Sequence, residues 1–268
     1  MRTVDFKTPT LNEKGEILGW MNLAAQQFTE YVGNEIELDM ILVPRGFFQM
    51  GSPRSSLNND EKPQHLVSIR PFLMGKCLVT QGQWRAVMRK LPPCRFKGEG
   101  LPVERVSWKD AQAFCRKLSE KAGREYRLPS ETQWEYACRA GTATPFSFGE
   151  TLTVEVANFN GEHTFREEPR GFYRHVTNAG GTFPPNAFGL HDMHGNLWEW
   201  CADHWLEDYS SSPRDDSAYQ KKDDSTRVAR GGSWHEPPSL CRSASRLRMI
   251  QSEAEEFTGF RVVCEVVV

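Results

Sequence analysis

The sequence has no long apolar run and no marked excess of charge of either sign. Its 268 residues carry 33 basic and 35 acidic side chains, a formal net charge of −2. Proteins that bind nucleic acid or a membrane surface usually show a basic patch, so this balance argues against both partners. No stretch approaches the roughly 20 apolar residues of a membrane-spanning helix, and residues 1–16 lack the apolar core of a signal peptide. We therefore expect a cytoplasmic protein without a membrane span.

The sequence also lacks the short motifs of common catalytic and metal sites. Its seven cysteines include no CxxC pair, which argues against a zinc ribbon or a thioredoxin-type redox site. The GxSxG, GxxxxGK[ST] and HExxH patterns are absent as well. In a reducing compartment the default for such cysteines is a free, buried thiol.

Eight tryptophans and 21 glycines are present instead, a combination typical of a loop-rich fold with large aromatic anchors. Three capping boxes predict helix starts: Thr80 with Gln83, Ser107 with Asp110, and Ser130 with Gln133. Gly141 is well placed to end the third helix. Beyond it the helical periodicity disappears, and a long irregular stretch of this kind usually forms a binding or active-site surface.

The part of the chain before the capping boxes reads mainly as strands. Residues 1–35 are treated as an N-terminal extension, in which 19–34 fit either a helix or a hairpin strand. Residues 36–52 alternate and then run apolar around a Pro-Arg-Gly turn at 44–46, which predicts a hairpin. Residues 65–79 form a second predicted strand region.

Several longer motifs occur in a fixed order along residues 36–268. They include FQMGS at 48–52, LPVERVSWKDAQAFC at 101–115, YRLPSETQWEYACRAG at 126–141, NAFGLHDMHGNLWEWCAD at 186–203, RVARGGSW at 227–234 and TGFRVV at 258–263. In these motifs the chain resembles the formylglycine-generating-enzyme (sulfatase-modifying factor) family. The resemblance implies an α+β fold of the C-type-lectin-like type, loop-rich, with about three helices and short antiparallel sheets.

The resemblance also implies a catalytic site, and this sequence departs from it. The family's enzymes oxidise a substrate cysteine to formylglycine with a copper ion held by two cysteines. By position, the family's active serine falls on Ser233 and its copper cysteines fall on Glu236 and Cys241. A carboxylate is a hard ligand that holds Cu(I) poorly compared with a thiolate. The departure argues against copper and against catalysis; an oxidoreductase using Ser233 and Cys241 is the alternative interpretation.

Structural calcium is a further implication of the family likeness. The positions that match a family calcium site are Asp192, Gly195, Leu197 and Glu199, and a second site begins at Asn158 and Phe159. Hard side-chain and backbone oxygens at close spacing are what calcium needs. The alternative is that Asp192 and Glu199 only cap turns.

Near the C-terminus, residues 230–264 form a regular frame around an irregular filling. The frame is Arg230–Trp234, Cys241–Ala244 with Arg246, and Gly259–Val263, and it resembles that of the variable proteins of diversity-generating retroelements. That resemblance implies a non-catalytic protein that presents a diversified surface to a protein or other macromolecular ligand. The predicted ligand-binding residues are His235, Glu236, Pro237, Ser239, Leu240, Ser245, Leu247, Arg248, Met249, Ile250, Glu253, Glu255, Glu256 and Phe257.

The composition of the filling supports a binding surface, with Met249 or Phe257 as anchors and Arg248 as a polar contact. Large apolar side chains mixed with charges are typical of an interaction patch. Two other interpretations stay open. In one, the segment has drifted and is packed by the N-terminal extension; in the other, the protein is a regulatory or scaffolding module that docks through residues 1–38.

Overall fold

The computed structural model describes residues 1–33, 36–222 and 224–266. The α-helices within them are α1 (Gln81–Met88), α2 (Trp108–Ala122) and α3 (Glu131–Arg139). The strands are β1 (Arg2–Leu11), β2 (Ile17–Tyr31), β3 (Glu37–Val43), β4 (Gly46–Met50), β5 (His65–Ile69), β6 (Phe72–Gly75), β7 (Tyr126–Arg127), β8 (Trp198–His204), β9 (Thr226–Arg230), β10 (Arg246–Ile250), β11 (Thr258–Gly259) and β12 (Val263–Glu265).

All three helices begin at the predicted capping boxes. In each, the Ser or Thr oxygen accepts from the backbone N–H three residues on, and the side chain of that residue accepts in return. The end of α3 differs from the prediction, because Ala140 itself takes the left-handed conformation at φ 46°. Gly141 follows at φ +92° as part of the same turn.

The strands form three sheets, and the predicted α+β class is confirmed. The largest sheet has the order β1-β2-β3-β6-β12-β7, the second has β10-β9-β8-β11, and β4 pairs with β5. The pairs are antiparallel except for the short β8–β11 pair, which is parallel.

Residues 1–31 form a long hairpin that continues the largest sheet. β1 pairs with β2 from Arg2 opposite Gln27 to Leu11 opposite Ile17. The second half of β2 then pairs with β3, so the ambiguous segment 19–34 is a strand as far as Tyr31. Periodicity did not decide this because the first half of β2 projects beyond the core and is exposed on both faces.

The predicted hairpin over 36–52 is wrong, although both of its strands exist. β3 pairs with β2 and β6, while β4 pairs with β5 in a different sheet. β3 has buried residues on both faces, Met40 in one apolar cluster and Ile41 in another. A strand of this kind lies inside a sheet with a neighbour on each edge, so Pro44–Gly46 carries the chain from one sheet to the next.

The core consists mainly of two apolar clusters, to which the adjacent β3 residues Met40 and Ile41 contribute separately. Trp134, Trp198 and Trp200 are at most 1% exposed, as expected of aromatic anchors. All seven cysteines are free thiols, and every one except Cys77 is buried. Among the described residues, none of the helices is both long and apolar enough to cross a membrane.

Candidate functional site

The backbone of the C-terminal frame is held from inside by buried arginines. Arg230, at the end of β9, is 0% exposed. Its Nη1 donates to the carbonyls of Ala244 and Ser245 at 2.7 Å each, and its Nη2 donates to that of Ser243 at 3.0 Å. The same guanidinium forms an ion pair with Glu135 on α3. One side chain therefore fixes three consecutive peptide groups of the frame.

Arg246 ties the start of β10 to the interior in the same way. Its Nε and Nη2 donate to the two carboxylate oxygens of Glu131 at 2.6 and 3.1 Å. Its Nη1 donates to the carbonyls of Asp60 and Leu206 at 2.7 and 3.0 Å. Burial alone would raise the pKa of Glu131, but the charges of Arg246 and Arg230 hold it below its ordinary value.

Two further arginines complete this arrangement. Arg242 is bidentate with Glu61 at 2.9 and 2.6 Å. Arg261, within the Gly259–Val263 motif, is bidentate with Glu199 at 2.6 and 2.7 Å, and Trp134 donates its indole N–H to Glu199 at 3.0 Å. The side chains of these four arginines thus face inward and hold the backbone of the frame.

The predicted ligand-binding residues separate into three degrees of exposure. Those that are exposed are His235, Ser239, Leu240, Arg248, Ile250 and Glu255. Those that are half-buried are Glu236, Pro237, Leu247, Glu253, Glu256 and Phe257. Those that are buried are Ser245 and Met249.

The predicted roles of Ser245 and Met249 are therefore wrong. β10 is paired with β9, so its side chains alternate between the core and solvent. Met249 points inward and joins the main apolar cluster, against which Leu247 and Phe257 also pack. Ser245 lies in the turn that Arg230 fastens. An apolar residue type does not by itself show whether the side chain contacts a partner protein or packs in the protein's own core.

One residue of the exposed set, His235, belongs to an aromatic patch formed by Phe96, Tyr173, Trp234 and His235, in which Trp234 is buried. The rings of Tyr173 and Trp234 stack at 5.9 Å and 23°, and Phe96 meets Trp234 edge-on at 5.7 Å. The Tyr173 hydroxyl and His235 Nδ1 are 2.6 Å apart and share a hydrogen bond. The patch joins three separate segments of the chain on one surface.

A charged rim borders the aromatic patch. The Arg95 guanidinium lies 5.2 Å from the ring centre of Phe96 and 5.6 Å from that of Trp234. Arg95 also pairs with Glu256, which Arg105 contacts at 2.7 Å. Sequence reasoning found Glu256 but missed Arg95 and Phe96, because their segment carries no motif and only the tertiary fold brings it to the frame.

Arg248 and Ile250 lie elsewhere, on the outward side of β10 at the edge of the second sheet. Arg248 reaches Glu207 at 2.9 Å. Ser239 and Leu240 belong to a single 3-10 turn, Pro238–Leu240, directly before Cys241. The predicted ligand-binding residues are thus divided between different parts of the fold: His235 belongs to the aromatic patch, whereas Arg248 and Ile250 lie on β10.

The residues of the alternative catalytic interpretation are buried. Cys241 is 0% exposed and packs in an apolar cluster with Phe146 and Phe159, and burial raises the pKa of its thiol far above the ordinary value. Ser233 is also 0% exposed, and its hydroxyl accepts from the backbone N–H of His235 at 3.2 Å. Glu236, at the position that the family likeness gives to the first copper cysteine, accepts from the Trp198 indole at 3.3 Å.

The predicted calcium positions are only partly available for a metal. Glu199 has both oxygens engaged by Arg261 and Trp134. Asp192 is different: it is buried at φ 57°, and its Oδ2 has no hydrogen-bond partner. Burial raises the pKa of Asp192 to about 6. At the second position Asn158 Oδ1 is likewise unpaired.

Within residues 1–33, 36–222 and 224–266, no group of three or more His, Cys, Asp or Glu side chains is arranged to hold a metal ion. His194, three residues after His191, is buried and uses its ring nitrogens on Cys241 and Ser147. Calcium therefore stays a prediction, and its ligands would have to be mainly amide, hydroxyl and carbonyl oxygens around Asp192.

A family profile described as the sulfatase-modifying factor enzyme 1-like domain matches residues 27–266. The chain belongs to this family. Inactive C-alpha-formylglycine-generating enzyme 2 of Bos taurus is 26% identical, with 86% of this chain and 89% of its own length covered. Formylglycine-generating enzyme of Thermomonospora curvata is 27% identical, with 86% and 95% covered. A relative named as inactive and one named as a formylglycine-generating enzyme are thus about equally similar to this chain.

Solved structures confirm the fold type that the family likeness implied. PvdO from Pseudomonas aeruginosa is 32% identical with a TM-score of 0.78, covering 89% of this chain and 98% of that one. Treponema denticola variable protein 1 is 25% identical with a TM-score of 0.77, covering 90% and 99%. The resemblance to the family and to variable proteins is confirmed, while a shared fold leaves the function to be argued from the site.

The buried ion pairs of the frame yield a matched comparison on one strand. Arg246→Met is expected to lower the free energy of unfolding by about 3–5 kcal/mol, because the buried Glu131 loses its bidentate partner and keeps only the longer contact with Arg230 at 3.7 Å. Arg248→Met, two residues along and exposed, is expected to change it by less than about 0.5 kcal/mol. Urea unfolding followed by circular dichroism measures both, and equal effects of the two substitutions would contradict the assigned role of Arg246.

Proposed function

We propose that the protein is a non-catalytic binding protein that presents a diversified surface on a lectin-like scaffold to a protein or other macromolecular partner. The observation that carries the proposal is the division of labour within residues 230–264. Arg230, Arg242, Arg246 and Arg261 hold the backbone from inside through buried carboxylates and carbonyl groups. The exposed positions contribute little to this framework and are free to vary.

Physical chemistry supports variation at those positions. Surface substitutions away from caps, buried charges and strained turns usually change stability by less than about 0.5 kcal/mol. His235, Leu240, Arg248, Ile250 and Glu255 are exposed side chains on a backbone fastened elsewhere. Different side chains there would meet different ligands without a change of fold, as in the paratopes of antibodies.

The same geometry supports a binding role over the copper-dependent one. Cu(I) prefers two thiolates, whereas this chain offers the buried Cys241 thiol and the carboxylate of Glu236, which is bonded to Trp198. We also propose that the protein works in a reducing, cytoplasmic setting, which its seven free cysteines support.

The diversification proposal is tested by sequencing the codons for residues 230–264 from many cells of the source population, together with nearby near-duplicate copies. We expect differences concentrated at the exposed positions, with Arg230, Arg242, Arg246 and Arg261 unchanged because their loss would leave buried carboxylates unpaired. Identical reads throughout, with no near-duplicate differing at adenines, would remove the claim of diversification.

The non-catalytic proposal is tested by incubating the purified protein with copper and a cysteine-containing sulfatase peptide. We expect no aldehyde by mass spectrometry, because one of the two thiolates is missing. A formylglycine-generating enzyme serves as the positive control for the assay. Aldehyde formation that disappears in Cys241→Ser would instead establish the oxidoreductase interpretation.

We further propose that a structural calcium ion binds beside Asp192. Four buried side-chain oxygens without a hydrogen-bond partner support it: Asn158 Oδ1, Thr177 Oγ1, Asn178 Oδ1 and Asp192 Oδ2. They lie on segments that hydrogen bonds join, since Asn178 donates to Asp192 at 3.3 Å and Asn158 to the Val176 carbonyl at 2.8 Å. Buried unpaired oxygens are costly, and such hard oxygens are calcium ligands.

Asp192→Asn tests this proposal by two measurements: the dependence of stability on pH, and the change in melting temperature when calcium is added. Without metal, the unfolded carboxyl ionises near 3.8 and the folded one near 6. The Asp192 carboxyl therefore contributes stability that the wild type loses as the pH rises from about 4 through 6, and the variant lacks this contribution. At pH 7.5, excess calcium is expected to raise the wild-type melting temperature by about 5 °C and leave the variant unchanged.

Asp5→Asn, in the exposed part of β1, is the control for this comparison and is expected to respond to calcium as the wild type does. A wild-type melting temperature that is the same in calcium and in EDTA at pH 7.5 would refute the calcium site.

A further inference from the structure

The first part of β2 has one edge without a partner strand. β2 is 15 residues long, and positions 27–31 pair with β3 on one side. β1 covers the other side over positions 17–27. Within residues 1–33, 36–222 and 224–266, nothing pairs with positions 17–26 on the β3 side. The backbone N–H and C=O groups that point to this side therefore lack a strand to bond.

This edge also lacks the features that usually protect an unpaired strand. Charged side chains and proline on an edge strand discourage the addition of another strand. Positions 17–29 contain neither. The neighbouring β1, at the other edge of the same hairpin, contains Arg2, Asp5, Lys7 and Pro9. One edge of the hairpin is thus protected and the other is suited to strand pairing.

Large apolar side chains are exposed along the same segment of β2. Ile17 is 46% exposed, Leu18 68%, Trp20 49% and Met21 45%. No other five consecutive positions in the described part of the chain expose as many large apolar side chains. Exposed apolar groups beside unpaired backbone groups are typical of a surface that takes up an added strand.

The hairpin is held in place at both ends, so its edge is formed in advance. At its base, β2 pairs with β3. Near its tip, the Leu11 N–H donates to the Phe148 carbonyl at 2.6 Å, and the Glu167 N–H donates to the Glu13 carbonyl at 3.1 Å. An edge that is already extended and fixed loses little conformational entropy when another strand pairs with it.

We propose that a second copy of this chain occupies the edge, through antiparallel pairing of the 17–26 segments of the two copies about a two-fold axis. Like charges on opposing strands are destabilising, and an uncharged segment places no like charges opposite each other when it pairs with its own copy. In such a symmetric contact each copy covers the edge of the other, so that assembly stops at the dimer.

The interface is small. The 17–26 segments provide fewer residues than the roughly 20–30 per side of a standard protein interface, so we expect a dimer that dissociates in the micromolar range. The dimer does not depend on the proposed function, because 17–26 lies outside residues 230–264. Where both hold, the dimer presents that region twice, and a partner with repeated sites is bound more tightly than by one copy.

The proposal is tested by sedimentation velocity of the full chain over a range of concentrations from about 1 to 300 μM. We expect a monomer–dimer equilibrium for the wild type. Trp20→Lys and Leu18→Lys each place a positive charge on the edge of both copies, and each should raise the dissociation constant at least about tenfold. Circular dichroism checks that both variants fold.

Phe47→Lys is the matched control. Phe47 is an apolar side chain that is 73% exposed, but it lies on β4, in a different sheet from the hairpin. The same kind of substitution there should leave the dissociation constant unchanged. A dimer weakened equally by Phe47→Lys and Trp20→Lys would contradict the assigned edge.

Hydrogen exchange of the wild type gives a second measurement that needs no variant. Amides within 17–26 should exchange more slowly at the high concentration than at the low one, because those at the free edge gain partners in the dimer. Amides within 2–7 of β1 should exchange at the same rate at both concentrations. Mass spectrometry of peptides from the two segments measures this difference.

Three results would overturn the proposal: a monomer over the whole concentration range, a dimer unaffected by both lysine substitutions, or exchange over 17–26 that does not depend on concentration. If Trp20→Lys does not fold, Leu18→Lys and the wild-type exchange decide. Failure of the proposed function is distinguishable, since an invariant sequence over 230–264 leaves the dimer intact.

Discussion

The buried ion pair between Arg230 and Glu135 is the interaction on which the rest of the C-terminal region depends. It joins the end of β9 to helix α3, and the same guanidinium donates to three consecutive carbonyls, Ser243 to Ser245. Burying two opposite charges costs desolvation free energy unless the pair has good geometry and its remaining N–H donors form hydrogen bonds. Here Arg230 is wholly buried, with Nη1 and Nη2 both engaged, and its donors hold the carbonyls of the segment that leads into β10.

A framework of this kind places the stabilising ion pairs inside the protein and leaves other side chains of the region exposed. Arg246 and Arg261 repeat the arrangement with Glu131 and Glu199, so the carboxylates of α3 and β8 receive the arginines of the frame. The positions between them have different tasks. The Met249 side chain packs in the core. His235 belongs to the aromatic patch, and Arg248 lies on the edge strand β10. Binding proteins gain from such a division, because residues that meet a ligand are then not those that hold the fold.

Much of the scaffold was predictable because its signals are local. The three capping boxes began helices where expected, since each is a hydrogen-bond pattern within four residues. The order of the motifs identified the family, which the match over 27–266 confirms. Prediction failed where strand pairing or burial depended on contacts between segments far apart in the sequence. β3 and β4 pair with different strands, and the anchor expected at Met249 is a core residue.

The sequence by itself determined the family, the helix starts and the frame of arginines and glycines, and it places Glu236 where the family likeness implies a copper cysteine. These are properties of residue identity and short spacing, which need no knowledge of distant contacts. Only the tertiary structure decided which carboxylate each arginine meets, that Glu199 is engaged by Arg261, and that Phe96 and Tyr173 come together with Trp234. The reason is physical: burial and electrostatic pairing depend on distances between segments far apart along the chain.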